Sequence, residues 1–479
     1  MNTSFNPTEV LAALATSVGA RHLLTDIADM APYAQDWRHK YHGRPLAVVR
    51  PGSTAEVCAV MRTAAAHGVP VVTQGGNTGL SGGATPDASG RQLVLCTQRL
   101  NRVRNVDATN DTIIVEAGVV LQRLQDVARQ NGRLFPLALA AQGSCTVGGN
   151  LATNAGGTAV LRYGSMRDLT LGLEVVTASG DLWDGLRVLR KDNTGYDLRN
   201  LFIGSEGTLG VITAAALKLF PTPRATLTAM MALNSLDDAV ALLAQAREAL
   251  GPSLTAFEVI SAPCVSLIAR HFPALRWPFD EGHPVATLLE ISDHDSEEHA
   301  RKVLENLLGS AFESGTVLDG VVAESIAQSQ ALWALRESIS EAQGLEGAHI
   351  KHDIAIPAGT IAAFVAEATA ALERAVPQGR LAWFGHLGDG NLHFNLLAPN
   401  GADPQVLVSR QDEINRIVHD LVAHHAGSIS AEHGLGVLRR DENQRYKSDV
   451  ELNLMRTLKL ALDPGGLLNP GKVLAQVVR

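Results

Sequence analysis

The stretch TQGGNTGLSGG (Thr73–Gly83) follows directly on the β-rich run VPVV, and a second glycine cluster, QGSCTVGGNLATNAGG (Gln142–Gly157), lies further along. Glycine interleaved with Ser, Thr and Asn exposes successive backbone N–H groups, and such nests hold phosphate oxygens without a cation. Two of them in one region suit a long diphosphate ligand such as a dinucleotide. The plainer alternative for either cluster alone is a flexible turn. Neither cluster has the G-x-G-x-x-G spacing of a nicotinamide-binding crossover. The tail segment Gly466–Lys472 has P-loop spacing, but Val473 stands where Ser or Thr must reach magnesium, and no helix follows.

Around the first cluster, PLAVVR (Pro45–Arg50) reads as a strand, and Ser53 with Glu56 opens a helix over VCAVMRTAAAH. Gly68 stops that helix, and VPVVTQ is the next strand. A similar unit follows in TIIVEAG, LQRLQDVARQ and RLFPL, and LEVVTASGDLWD reads as a hairpin around Ser179-Gly180. Pro221 and Pro223 break the pattern. Beyond them, LDDAVALLAQAREAL and ESIAQSQALWALRESISEAQ have helical spacing, with strands in VATLLEIS, HIKHDIAIP and FGHLGDGNLHFN. The expected organisation is α+β: 1–222, 223–425, and a Gly- and Pro-rich segment 426–479.

A chain of 479 residues is too long for one ordinary core. Its 46% hydrophobic and 19% charged content is that of a packed globular protein, and the 44 glycines suggest backbone lying close to a ligand. A net charge of −9 without a basic run argues against nucleic acid or an anionic membrane as partner. Cys58, Cys96, Cys145 and Cys264 are scattered, which fits neither a zinc knuckle nor a disulfide framework. The N-terminus lacks a signal-peptide pattern, and no apolar run reaches about eighteen residues. A cytoplasmic location is the expectation.

FGHLGDGNLHFN (Phe384–Asn395) sets two histidines about a glycine-rich turn. With Gly388–Asn391 as a four-residue loop, Leu387 faces Leu392 and His386 faces His393, with Asn395 on the same face. Two imidazoles hold a divalent ion loosely, and Glu432 of SISAEHGLG is a candidate third ligand. A structural histidine pair is the alternative. ALWALRESIS spaces Arg336 and Ser340 at i and i+4 on one helical face, and Lys351 falls on a strand; such groups are commonly surface residues. His424 and His425 read as surface residues.

The segments QGGNTGLSGG, GSCTVGGNLATNAGG and KDNTGYDLRNLFIGSEGTLGVIT (Lys191–Thr213) resemble the FAD-binding domain of vanillyl-alcohol-oxidase (PCMH) type. More narrowly, from about residue 40 to 475, the chain resembles the FAD-linked D-2-hydroxy-acid dehydrogenases, closest to the D-2-hydroxyglutarate dehydrogenase family. The resemblance implies a two-subdomain FAD-binding domain, an α+β substrate-binding cap domain and a C-terminal segment returning to the FAD domain. It implies flavin contacts from Gly75, Gly76, Asn77, Thr78, Gly79, Ser81 and Gly82. Further contacts are implied from Gly143, Ser144, Val147, Gly148, Gly149, Thr153, Asn154 and Gly157, then from Glu206, Gly210, Val211 and Asn469. Some relatives attach FAD through a histidine in the first loop; Asn77 stands there, so non-covalent FAD is expected.

HLGDGNLH with AEHG looks like the family's metal site, which implies His386, His393 and Glu432 as ligands and His433 as catalytic base in contact with substrate. Zinc is the expected ion, with manganese or iron as alternatives. The family's Arg, Thr and Lys for the substrate's distal carboxylate correspond to Arg336, Ser340 and Lys351, with Ser in place of the usual Thr; Asn395 joins this set. The implied reaction is oxidation of D-2-hydroxyglutarate to the 2-oxo acid by hydride transfer from C2 to flavin N5, with D-malate left open as a second substrate. Relatives pass electrons to an electron-transfer flavoprotein or a quinone-linked carrier; the sequence does not fix the oligomeric state, and a homodimer is left open. A D-lactate or glycolate dehydrogenase of the same fold is the nearest alternative. A metallohydrolase with structural glycine clusters, or a non-catalytic nucleotide sensor, are alternatives from other classes. The reading requires an ion held by the second domain to lie against the flavin carried by the first.

Overall fold

The computed structural model describes residues 6–475; Met1–Phe5, where the N-terminal stretch read for a leader begins, lie outside the described residues, as do 476–479. The chain forms two compact units: Met1–Gly156 with Gly164–Thr222 and Glu432–Arg479, and Gly157–Tyr163 with Pro223–Ala431. The break after Thr222 falls where the prolines interrupt the pattern. Two segments fall elsewhere than the boundaries read from sequence. Residues 157–163 join the second unit, where Arg162 donates to the Ser292 carbonyl at 2.6 Å. Residues 426–431 do so because Ser428 bridges to Ala355 and the Ala431 N–H donates to the Asp353 carbonyl at 3.2 Å.

The first unit holds two sheets. β1 (Leu23–Leu24), β2 (Ala47–Val49), β3 (Val71–Gln74) and β4 (Leu93–Cys96) run in the order β1-β2-β4-β3, with β2, β4 and β3 parallel. The helix Thr54–His67 crosses from β2 to β3. Ser53 Oγ caps it by accepting from the Glu56 N–H, and Gly68 ends it at φ +62°, a left-handed stop that glycine adopts without a Cβ clash. Val57, Val60 and Met61 of this helix pack with Val71, Leu93 and Leu95 in one fully buried core. The second region runs β5 (Val103–Asp107), β6 (Thr112–Glu116), β7 (Arg133–Leu134), β8 (Thr170–Val176), β9 (Leu182–Gly185), β10 (Val211–Lys218) and β11 (Phe220–Pro221). All but β7 and β11, which pair with each other, form an antiparallel sheet in the order β5-β6-β10-β8-β9.

The second unit is built on one seven-stranded antiparallel sheet. Its strands are β12 (Ala225–Leu233), β13 (Leu254–Ser261), β14 (Val285–Asp293), β15 (Asp319–Val322), β16 (Ile350–Ala355), β17 (Arg380–His386) and β18 (Asn391–Leu397), in the order β15-β12-β14-β13-β17-β18-β16. Helices Leu236–Leu250, Glu297–Glu313, Ile361–Ala375 and Gln411–His424 pack against it or one another, as do Ala262–His271 and Ile326–Glu337. Helical cover explains why β12, β13 and β14 are buried almost continuously where a half-exposed antiparallel strand would alternate. Two expectations are corrected here. The helix read through ESIAQSQALWALRESISEAQ is two helices, Ile326–Glu337 and Ile339–Leu345, with Ser338 between them and its Oγ donating back to the Ala334 carbonyl at 2.6 Å, a bond that competes with the helix ladder. The β17–β18 loop is Leu387–Gly390, so His386 pairs with Asn391 and Phe384 with His393. Asn391 belongs to the ladder, since its amide donates to Asp353 Oδ1 and the Ile354 carbonyl, both at 3.0 Å. No helix among the described residues is long and apolar enough to cross a membrane.

Candidate active site

In the first unit the two glycine clusters face each other across a concave cleft lined by Gly75, Gly76 and Gly79 on one side and by Gly148 and Gly149 on the other. A Cβ on Gly75 would collide with Thr146 Oγ1, and one on Gly76 with the Ser144 carbonyl, so these glycines let two loops close on each other. Gly79, by contrast, has open space beside it. Backbone N–H groups from Gly75 to Gly83 donate to no other group among the described residues, and the buried hydroxyls of Thr73 and Thr146 have no partner there. Unspent donors around a concave space are what an anionic ligand satisfies. Left-handed backbone also gathers at expected cofactor residues: Asn77 at +53°, Asn154 and Glu206 at +51°, and Asn469 at +42°.

Of the residues implied as flavin contacts, Gly75, Gly76, Asn77, Thr78, Gly79 and Ser81 line this cleft, as do Gly148, Gly149, Thr153, Glu206 and Gly210. The others stand behind it or apart. Gly82, at φ +69°, packs on the Tyr41 ring; Gly143 and Ser144 are exposed; Val147 is core; Asn154 accepts from Ser165 Oγ and the Arg167 N–H, both at 2.9 Å. Gly157 belongs to the second unit, and Val211 starts β10. Asn77 donates to the Gln35 carbonyl at 2.8 Å. Thr73, Thr146, Asn150, Gly207 and Ile212 also line the cleft. Thr146 and Asn150 sit inside the second quoted cluster, where the glycines drew attention away from their side chains.

His433 lines the same cleft. Its segment is held from two sides: Ser81 Oγ donates to the carbonyls of His433 at 3.1 Å and Gly434 at 3.2 Å, and Glu206 accepts from the N–H groups of Leu435 at 2.7 Å and Gly436 at 2.8 Å. Burial pushes the Glu206 carboxyl above its ordinary pKa, with the two N–H groups opposing. Asn469 donates to the carbonyls of Gly83 at 2.9 Å and Glu206 at 2.7 Å. Glu206 and Asn469 therefore brace the cleft wall that carries His433.

In the second unit, adjacent strands set four side chains in a row. Glu258 of β13 is the cross-strand partner of His386 on β17, and Asp353 of β16 is the partner of His393 on β18. The two imidazoles are diagonal neighbours on one face, with ring centroids 5.9 Å apart. The register therefore differs by two residues from the one read in sequence, and a slip of two keeps the face. His386 Nδ1 lies 2.6 Å from Glu258 Oε1, and His393 Nδ1 lies 3.9 Å from Asp353 Oδ1. Glu432 follows Ala431 where the chain leaves this unit; it, His386 and His393 offer ligand atoms within 4.8 Å of one another. Glu367, His424 and His425 form another such group, with His424 exposed and His425 Nε2 at 3.2 Å from Glu367.

Arg336 is 7% exposed and donates through Nε to Glu258 Oε2 at 2.7 Å, its guanidinium lying 4.7 Å from the Phe384 ring centre. Burial pushes the Glu258 carboxyl up, and the charges and hydrogen bonds of His386 and Arg336 more than reverse this, holding it below the ordinary range. Lys351 is the cross-strand partner of Asn395 and shares the histidines' face. The Asn395 amide donates to Gln343 Oε1 at 2.7 Å and accepts from the His352 N–H at 3.2 Å, leaving one amide hydrogen without an acceptor among the described residues. Ser340 is exposed, and the break at Ser338 removes the continuous face on which it was spaced with Arg336. Glu258 escaped the sequence reading; FEVIS reads as an apolar strand, and the lone carboxylate within it was the available signal.

The FAD binding domain family matches residues 45–185, and the family of FAD linked oxidases, C-terminal domain, matches 222–473. A D-2-hydroxyglutarate dehydrogenase of Xanthomonas citri pv. viticola is 40% identical over 463 residues, covering 97% of this chain and 96% of that protein. One of Stutzerimonas stutzeri is 37% identical, covering 96% and 98%. The mitochondrial D-2-hydroxyglutarate dehydrogenase of Bos taurus is 39% identical, covering 97% and 83%. Among solved structures, p-cresol methylhydroxylase has a TM-score of 0.78 at 16% identity, covering 97% of this chain and 96% of that one. The 4-ethylphenol oxidase of Gulosibacter chungangensis has a TM-score of 0.73 at 18% identity, covering 98% and 97%. At such identities the likeness speaks for the fold alone, an α+β flavoprotein fold of the PCMH type. The chain belongs to the FAD-linked oxidases, within their D-2-hydroxyglutarate dehydrogenase family.

Proposed function

We propose that this FAD-dependent 2-hydroxy-acid oxidoreductase converts D-2-hydroxyglutarate to 2-oxoglutarate, taking D-malate as a shorter substrate. FAD is held without a covalent bond, and a divalent ion, zinc before manganese or iron, is held by His386, His393 and Glu432. The observation that carries the substrate choice is Arg336: a buried guanidinium joined to the imidazole of His386 through one carboxylate. Its two Nη groups make no hydrogen bond among the described residues. A monocarboxylate with a methyl tail would leave that cation unanswered, whereas a second carboxylate answers it.

The residues fit both groups. The unspent N–H groups of the first loop suit a diphosphate, and two imidazoles with a carboxylate suit a borderline divalent ion. When bound, FAD supplies a two-electron acceptor and the ion supplies Lewis acidity toward the C2 hydroxyl. His433 accepts the hydroxyl proton, and the bracing by Glu206 and Ser81 holds its segment in place for that transfer. Arg336 and Lys351 receive the distal carboxylate, and the remaining amide hydrogen of Asn395 serves the acid's oxygens. An electron-transfer flavoprotein or a quinone-linked carrier reoxidises the flavin.

Anaerobic mixing of the yellow protein with a panel of D- and L-2-hydroxy acids tests this reading. Rapid bleaching by D-2-hydroxyglutarate, slower by D-malate and absent with the L-acids, is expected. Bleaching by D-lactate with no response to D-2-hydroxyglutarate would reverse the choice of substrate.

A further inference from the structure

Glu258 sits in the middle of the seven-stranded sheet with no exposed surface, opposite His386 in the β13–β17 register. A carboxylate buried this deeply requires partners on its oxygens. It has two of different kinds: Oε1 accepts from His386 Nδ1 at 2.6 Å, and Oε2 accepts from Arg336 Nε at 2.7 Å. Hydrogen bonding at Nδ1 fixes the tautomer and turns Nε2 outward as the nitrogen for an ion. Bonding at Nε, with the guanidinium over the Phe384 ring at 4.7 Å, fixes the guanidinium plane while its Nη edge makes no hydrogen bond among the described residues. Phe384 stands two residues before His386 on the same strand, so one carboxylate and one short piece of β17 orient both groups.

We propose that Glu258 is a positioning residue shared by the ion site and the carboxylate site, so that metal affinity and dicarboxylate recognition are set together by one side chain. The proposal rests on the function argued above. The competing account is an ordinary core ion pair that contributes only stability.

Glu258→Gln separates the two accounts. A carboxylate accepts on both oxygens, whereas an amide offers one acceptor and one donor, so no rotamer satisfies both His386 Nδ1–H and Arg336 Nε–H. The variant is expected to bind zinc at least about tenfold more weakly by chelator competition. At saturating zinc, its KM for D-2-hydroxyglutarate is expected to rise at least about tenfold relative to its KM for D-lactate. A lower melting temperature with both readings within about twofold of wild type overturns the proposal. A shift in only one reading overturns the shared role. If the variant does not fold, nitrogen-15 spectra of the wild-type histidines decide: His386 protonated at Nδ1 is required, and protonation at Nε2 overturns the proposal. Wild-type protein inert toward D-2-hydroxyglutarate refutes the proposed function, whereas active wild type with a silent Glu258 refutes this inference alone.

Discussion

Arg336 is where a sequence pattern and its environment diverge most usefully. From spacing it is an exposed helical residue; in the fold it is buried against Glu258 and Phe384. Arg336→Ala should raise the KM for D-2-hydroxyglutarate by about 10–100-fold, the loss of a charge-assisted hydrogen bond to the substrate. It should leave the KM for D-lactate nearly unchanged; an equal rise for both acids would count against Arg336 as the carboxylate receptor. It should also lower the melting temperature, because Glu258 loses one of its two partners in the core. Glu206 gives a second residue-scale expectation. Its carboxylate accepts from two consecutive N–H groups beyond His433 at left-handed backbone of +51°. Glu206→Gln replaces one acceptor with a donor facing an N–H, so kcat should fall about tenfold or more while the bound flavin absorbance persists. Unchanged kcat would mean that the His433 segment is held without it. Neither carboxylate's role was readable from sequence, since each partner lies far along the chain and only the folded backbone brings it near.

At the scale of elements, local chemistry was legible and register was not. Ser53, Glu56 and Gly68 mark the helix Thr54–His67 because capping and a left-handed stop act over a few residues. Gly-Asp-Gly-Asn marks a turn between His386 and His393, but two loops of equal length differ in register by two residues. The choice rests on Asn391 binding Asp353 and Ile354 of a third strand. Likewise, helical periodicity continues through Ser338, where the folded chain ends one helix and starts the next. The short helix after that break ends on Glu346, which gathers Arg270, His271 and Arg380. Burial pushes this carboxyl up, and hydrogen bonds from His271, Arg380 and Arg270 overcome it, taking its pKa from 4.5 down to about 2. A depressed folded pKa stabilises above the unfolded value and is lost as pH falls through the folded one. Wild-type melting temperature should therefore drop between about pH 4.5 and about pH 2. Glu346→Gln should be less stable above that window and converge on wild type at its acid end; a constant difference across the window would assign Glu346 no such role.

At the scale of the whole molecule, the glycine clusters announced a nucleotide-type cleft, but not that some of their glycines serve the meeting of two loops. The division of labour between units is likewise a property of the folded chain. Every residue lining the cleft, His433 included, belongs to the first unit, whereas His386, His393 and their carboxylate partners belong to the second unit's sheet. The loop N–H groups and glycine packing that suit FAD lie in the first unit, and the two imidazoles of the proposed ion site lie on the second unit's sheet. Loss of the ion leaves the loop N–H groups and the glycine packing of the first unit in place. A strong chelator should therefore abolish turnover of D-2-hydroxyglutarate while the visible flavin spectrum and the flavin-to-protein ratio after gel filtration stay unchanged. Readdition of zinc should restore the rate, because Glu258 already holds the His386 ring without the ion. Flavin released together with the metal would show that the ion supports the cleft itself, and turnover unaffected by chelation would remove the ion from the chemistry.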